Sequence, residues 1–172
     1  MPSFTLTTNE VLASNQKHIH RRKLAGEAPA ALPVLWHDII LGAGLQEWLR
    51  NVDTLFIATY NRKDGLDAWV QSGRPGFVRA ADNRTLLFPN FPGGHIVNEA
   101  GNLACDPRTG LLFLNFEHGS TLQVTGCMQA ISDPGWVVQF DGACAVVEFS
   151  LDEVIYTERA TTLRWRLLSY SS

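Results

Sequence analysis

The segment Gln71-Ser72-Gly73-Arg74-Pro75-Gly76-Phe77-Val78-Arg79 places two glycines, a proline and two arginines in a stretch that otherwise reads as strand. Glycine weakens a strand unless something must approach the backbone closely, and the planar fork of an arginine matches the oxygens of a phosphate. Exposed amides beside arginines therefore suit a ligand with both a planar polar ring and a phosphate. The same residues also suit a plain β-bulge with solvated arginines, and spacing alone leaves both readings open.

Other residue groups carry weaker chemical signals. His18-Ile19-His20 could chelate, and Arg21-Arg22-Lys23 behind it could meet phosphates, but no acidic or cysteine partner lies nearby. A solvated or dimer-clasping segment is the better reading, and no metal site is expected. His37 and His118 stand alone and read as structural or exposed. Cys105, Cys127 and Cys144 fit no CxxC pattern and leave one thiol over in any pairing, which suits free thiols in a reducing cytosol. The tryptophans read as core, with Trp69 and Trp136 as candidates for a substrate face.

These groups need a scaffold, and the chain supplies a mainly β one. Residues 1–33 form an arm of polar and small types that closes in Ala28-Pro29-Ala30-Ala31-Leu32-Pro33, expected to be partly helical. A short helix is expected from about Leu45 to Asn51 and another from Ile96 to Cys105, ended by Asp106-Pro107. Strands are expected at Thr54–Tyr60, Ala68–Gln71, Gly76–Ala81, Thr85–Phe88, Gly110–Phe116, Thr121–Ile131, Ala143–Leu151 and Thr162–Ser169. Many strands between short turns, with one inserted helix, argue for a closed or nearly closed antiparallel barrel rather than a βαβ sheet.

Composition narrows the classes. The 172 residues fit one domain, placed at 34–172 behind the arm. A net charge of −3 lacks the positive field that non-specific nucleic-acid binding requires. The amino terminus has no unbroken apolar core of a signal peptide and no run reaches the length of a membrane span, so a cytoplasmic protein is expected.

Read together and in order, Gln71 to Arg79, Asp82-Asn83-Arg84-Thr85-Leu86, Phe91-Pro92-Gly93, Gly101-Asn102-Leu103 and Asp106-Pro107-Arg108 resemble the pyridoxamine 5'-phosphate oxidase-like split-barrel family, in particular its flavin-nucleotide-binding branch. The match runs from about Val52 to Ile131. The resemblance implies a homodimer of six-stranded antiparallel split barrels with FMN in a groove between subunits. It puts Gln71, Ser72 and Arg74 along the isoalloxazine ring and Arg79 at the phosphate. Asn90 and Phe91 fall where a strand end lines the flavin, Asn102 on the following helix is a further candidate, and Thr121 stands where the parent oxidase places a ring-contacting glutamine.

One departure bears on the cofactor. Gly93-Gly94-His95 replaces the Gly-Asn-Arg common in that branch, removing a cation and leaving His95 as the donor in its place. FAD is an alternative flavin, and haem with His95 as axial ligand is an alternative ligand, since some split-barrel relatives bind it so. The tail Arg164-Trp165-Arg166-Leu167-Leu168 lacks both the proline and the Arg-x-His pair of the true oxidase, so pyridoxamine 5'-phosphate oxidase activity itself is not expected. The expected function is an FMN-dependent oxidoreductase of unknown substrate. A non-catalytic flavin or haem carrier or sensor on the same barrel is the alternative.

Overall fold

The computed structural model describes residues 20–61, 65–92 and 107–170. Along the chain, β1 (Arg21–Glu27) and β2 (Val34–Asp38) precede helix α1 (Ala43–Leu49). Then come β3 (Thr54–Asn61), β4 (Gly65–Ser72), β5 (Arg79–Ala80), β6 (Thr85–Asn90), β7 (Arg108–Asn115) and β8 (Ser120–Ile131). A single-turn helix α2 (Pro134–Val137), β9 (Ala145–Glu158) and β10 (Leu163–Ser169) complete the order.

The six long strands β3, β4, β6, β7, β8 and β9 are the body of an antiparallel split barrel, and the short β2 and β5 extend it into one sheet. Its order is β4-β3-β7-β8-β9-β6-β5, with β2 also paired to β9. β9 makes the split possible because it is long enough to serve several neighbours. One edge pairs with β8, while the other takes β6 over Ala145–Ser150 and β2 over Val154–Glu158. The ladder does not close, since β4 and β5 end it.

Alternation along the strands explains what is inside. In β8, Leu122, Val124 and Met128 are buried while Gln123, Thr125 and Gln129 face out. Leu55 and Ile57 of β3, Leu111 and Phe113 of β7, Phe88 of β6 and Phe149 of β9 meet them in one core, which α1 caps through Leu49. Burying each such aliphatic or aromatic side chain is worth about 1.5–3 kcal/mol. The opposite face of β4, β3 and β7 is also apolar. Val70, Phe56 and Leu112 stand in register across three strands, Leu66 lies opposite Tyr60, and Leu66 is 83% exposed.

Within the arm, Arg21–Glu27 is extended and paired antiparallel with β10 in a two-stranded sheet, while residues 1–19 lie outside the described residues. Its backbone groups find partners more than 130 residues away, a tertiary preference that local propensity does not carry. The helix expected at Ile96–Cys105 lies outside the described residues. Among the described residues, no helix is long and apolar enough to cross a membrane.

Candidate functional site

The site is built where the ends of β4 and β6 meet. Gln71 shares the inward face of β4 with the buried Trp69, and Asn90 shares the inward face of β6 with Leu86 and Phe88. The Gln71 amide donates through Nε2 to the Pro89 carbonyl oxygen, so one side chain bridges two strands that are not sheet neighbours. Asn90 is 1% exposed, and among the described residues its Nδ2 has only the soft Cys144 Sγ as partner, at 3.9 Å. The Cys144 thiol and amide both donate to the Asn90 carbonyl oxygen, at 3.3 and 2.9 Å. Phe91 follows, half-buried.

β4 ends at the buried Ser72, and the chain turns through Gly73-Arg74-Pro75-Gly76. The glycines have different causes. A Cβ on Gly73 would stand 2.5 Å from Phe77 Cγ, so Gly73 makes room for the chain's own Phe77 ring. Gly76 has φ +87°, a conformation that side-chain-bearing residues rarely adopt, and open space lies where its Cβ would be.

The two arginines of the segment also part company. Arg79 donates from Nη2 to the Gln139 carbonyl oxygen at 3.0 Å and from Nε to the Gly76 carbonyl oxygen at 3.4 Å, and it lies over the Phe140 ring at 4.4 Å. It thereby fastens the loop carrying α2 and the half-exposed Trp136. The exposed Arg74 guanidinium has no hydrogen-bond partner among the described residues and stands 5.9 Å over the Tyr170 ring. The hairpin joining β5 to β6 is held by Asp82, which accepts from the Arg84 amide at 2.7 Å and the Thr85 hydroxyl at 3.1 Å. The Arg84 amide is the larger cause of a carboxyl held below its ordinary range.

Of the expected residues, Gln71, Ser72, Arg74, Asn90 and Phe91 thus gather at or beside the β4 and β6 ends. Arg79 starts the adjoining hairpin with its guanidinium engaged. Thr121 is in β8 between Leu114 and Thr157, on the sheet face opposite Gln71 and Asn90. His95 and Asn102 lie outside the described residues. Cys144, Tyr170 and His20 were not anticipated in these positions. His20 was visible only as half of a histidine pair, and nothing local marked its contact with Gly73, 53 residues on.

The arrangement offers amide and hydroxyl groups in a sheltered strand end, a nearby aromatic ring and an unengaged cation. The buried Asn90 amide, with only a weak sulfur partner among the described residues, is a donor fitted to a polar ring edge, and Arg74 to an anionic group. Those residues fit a flavin nucleotide.

The chain matches the family model described as Pyridoxamine 5'-phosphate oxidase over residues 41–157. No curated protein matches it. Among solved structures, HupZ of Group A Streptococcus is 12% identical, with a TM-score of 0.53 over 71% of this chain and 97% of that one. A candidate pyridoxamine 5'-phosphate oxidase from Lactobacillus delbrueckii is 15% identical, with a TM-score of 0.52 over 67% of this chain and 93% of that one. At these identities the likeness speaks for the fold.

Proposed function

Because this chain belongs to the pyridoxamine 5'-phosphate oxidase family, we propose that it binds FMN at the meeting point of β4 and β6 and acts as a flavin-dependent oxidoreductase. The single observation that carries this reading is the buried Asn90 amide beside the Gln71–Pro89 bridge, a sheltered polar edge with donor capacity to spare. When bound, FMN supplies the hydride chemistry.

The chain's own residues bind and orient. Gln71 and Asn90 line the ring edge with Phe91 beside it, and Ser72, on the other face of β4 by alternation, borders the turn that leads to Arg74. Arg74 holds the unengaged guanidinium for the anionic part of the ligand, whereas Arg79 reaches a phosphate only by leaving Gln139 and Phe140. No side chain is assigned a proton-transfer role.

The reading includes a homodimer. The apolar outer face of β4, β3 and β7 supports it, since a contiguous exposed apolar patch on a soluble chain marks an interaction surface. Thr121 lies on that face and not with Gln71, so it contributes to a flavin site only across a subunit boundary. The test is co-purification. The chain mixed with FMN and passed through gel filtration carries flavin if the reading holds, and NADH or NADPH then bleaches the bound flavin. Protein that elutes free of flavin contradicts it, while bound flavin that neither nucleotide reduces favours a carrier.

A further inference from the structure

The amino-terminal arm reaches the turn that presents Arg74, and it does so through a specific bond. His20 is 7% exposed and sets Nε2 2.8 Å from the Gly73 carbonyl oxygen. That oxygen can only accept, so Nε2 carries the hydrogen and donates to it. Nδ1 is buried and has no hydrogen-bond partner among the described residues. A leucine or phenylalanine would fill the same space without an orphaned polar atom, so burial alone does not account for an imidazole here. What the imidazole adds is the bond to Gly73.

A second link runs through the next strand. Arg22 pairs with the Asp53 carboxylate, both side chains nearly buried, and lies over the Phe116 ring at 4.0 Å. The Asp53 carbonyl oxygen in turn accepts from the Gly73 amide at 3.0 Å. Gly73 is therefore held on both sides, its N–H by Asp53 and its C=O by His20. That carbonyl belongs to the peptide leading into Arg74, and the Arg74 carbonyl accepts from the Phe77 amide at 3.0 Å. The Tyr170 ring closes the set, meeting His20 edge-on at 4.9 Å and lying beneath the Arg74 guanidinium.

We propose that the arm is part of the flavin site, with His20 as a positioning residue that fixes the Gly73–Arg74 peptide and, with Tyr170, aims the Arg74 guanidinium at an anionic group of the ligand. The inference rests on the flavin reading for the identity of that ligand. The clasp itself rests on geometry within the chain.

The test uses the full chain with His20→Ala and His20→Gln, the glutamine amide being able to donate to the same carbonyl. Hydrogen exchange of the Gly73 and Phe77 amides without FMN reads the clasp, and quenching of FMN fluorescence reads the site. His20→Ala is expected to speed exchange at both amides at least tenfold and to raise the FMN dissociation constant about tenfold, with His20→Gln recovering most of both. If His20→Ala does not fold, His20→Leu, which keeps the bulk and loses the N–H, replaces it with the same expectation. Unchanged exchange overturns the clasp. Faster exchange with unchanged FMN affinity overturns its role in the site. Failure of the unaltered chain to bind FMN overturns the flavin reading and the ligand half of the proposal, while exchange still decides the clasp.

Discussion

The side-chain amide of Gln71 donates to the backbone carbonyl of Pro89, joining β4 to β6 although the two strands are five places apart in the sheet order. The bond spans the opening that the ladder leaves. It also sets the distance between the two strand ends that carry Ser72 and Asn90, so a feature of barrel closure and a feature of the site are one interaction.

Gln71→Ala should accordingly lower unfolding free energy by about 0.5–1.5 kcal/mol, the usual net worth of such a bond. Urea unfolding of the two proteins side by side gives the difference. Equal midpoints and slopes would show that the bridge does not hold the barrel.

Gly73→Ala should destabilise by about 1–3 kcal/mol, because the new methyl group collides with the Phe77 ring at 2.5 Å. The same change made on top of Phe77→Gly, which removes both the ring and the Cβ that would stand 2.6 Å away, relieves the collision and should cost clearly less. A thermal or urea double-mutant cycle reads this coupling, and strict additivity of the two changes contradicts the packing explanation.

Asp82 gives a pH dependence of known sign. Its folded pKa is depressed, chiefly by the Arg84 amide and further by Thr85. Its contribution is therefore fully present above the ordinary aspartate range and is lost as pH falls through the lower folded value. The carboxyl is exposed, so the effect is small. Acid unfolding curves of the unaltered chain and Asp82→Asn should differ at neutral pH and converge in acid, whereas a constant offset at all pH values contradicts the assignment.

The proposed homodimer is checked by sedimentation. Phe56→Glu with Leu66→Asp places charges on the outer apolar face of β3 and β4, away from the core. The unaltered chain should sediment as a dimer and the variant as a folded monomer. A dimer that survives both changes places the interface elsewhere.

Much of this was legible in the residues and some could not be. The long strands were, because β8 and its neighbours alternate apolar and polar residues wherever one face meets the core. The ribbon of β1 and β10 was not, since Arg21–Glu27 is almost wholly exposed and has no such alternation. The interrupted segment from Gln71 to Arg79 was legible as unusual, but the partners of its residues were not. Gly73 makes room for Phe77, and Arg79 answers to Gln139, 60 residues away. Only the fold brings those partners near, as it does His20, Cys144 and Tyr170.

The measurement that bears most directly on the account is the FMN affinity of Arg74→Ala set beside that of the unaltered chain and of Arg79→Ala. Titration of FMN fluorescence should show saturable binding by the unaltered chain, weakened by about 1.5–3 kcal/mol when the Arg74 charge-assisted bond is lost. Arg79→Ala should act mainly through the loop it fastens, lowering stability with a smaller effect on affinity. Absence of FMN binding by the unaltered chain, or Arg74→Ala binding as tightly as the unaltered chain, would contradict it.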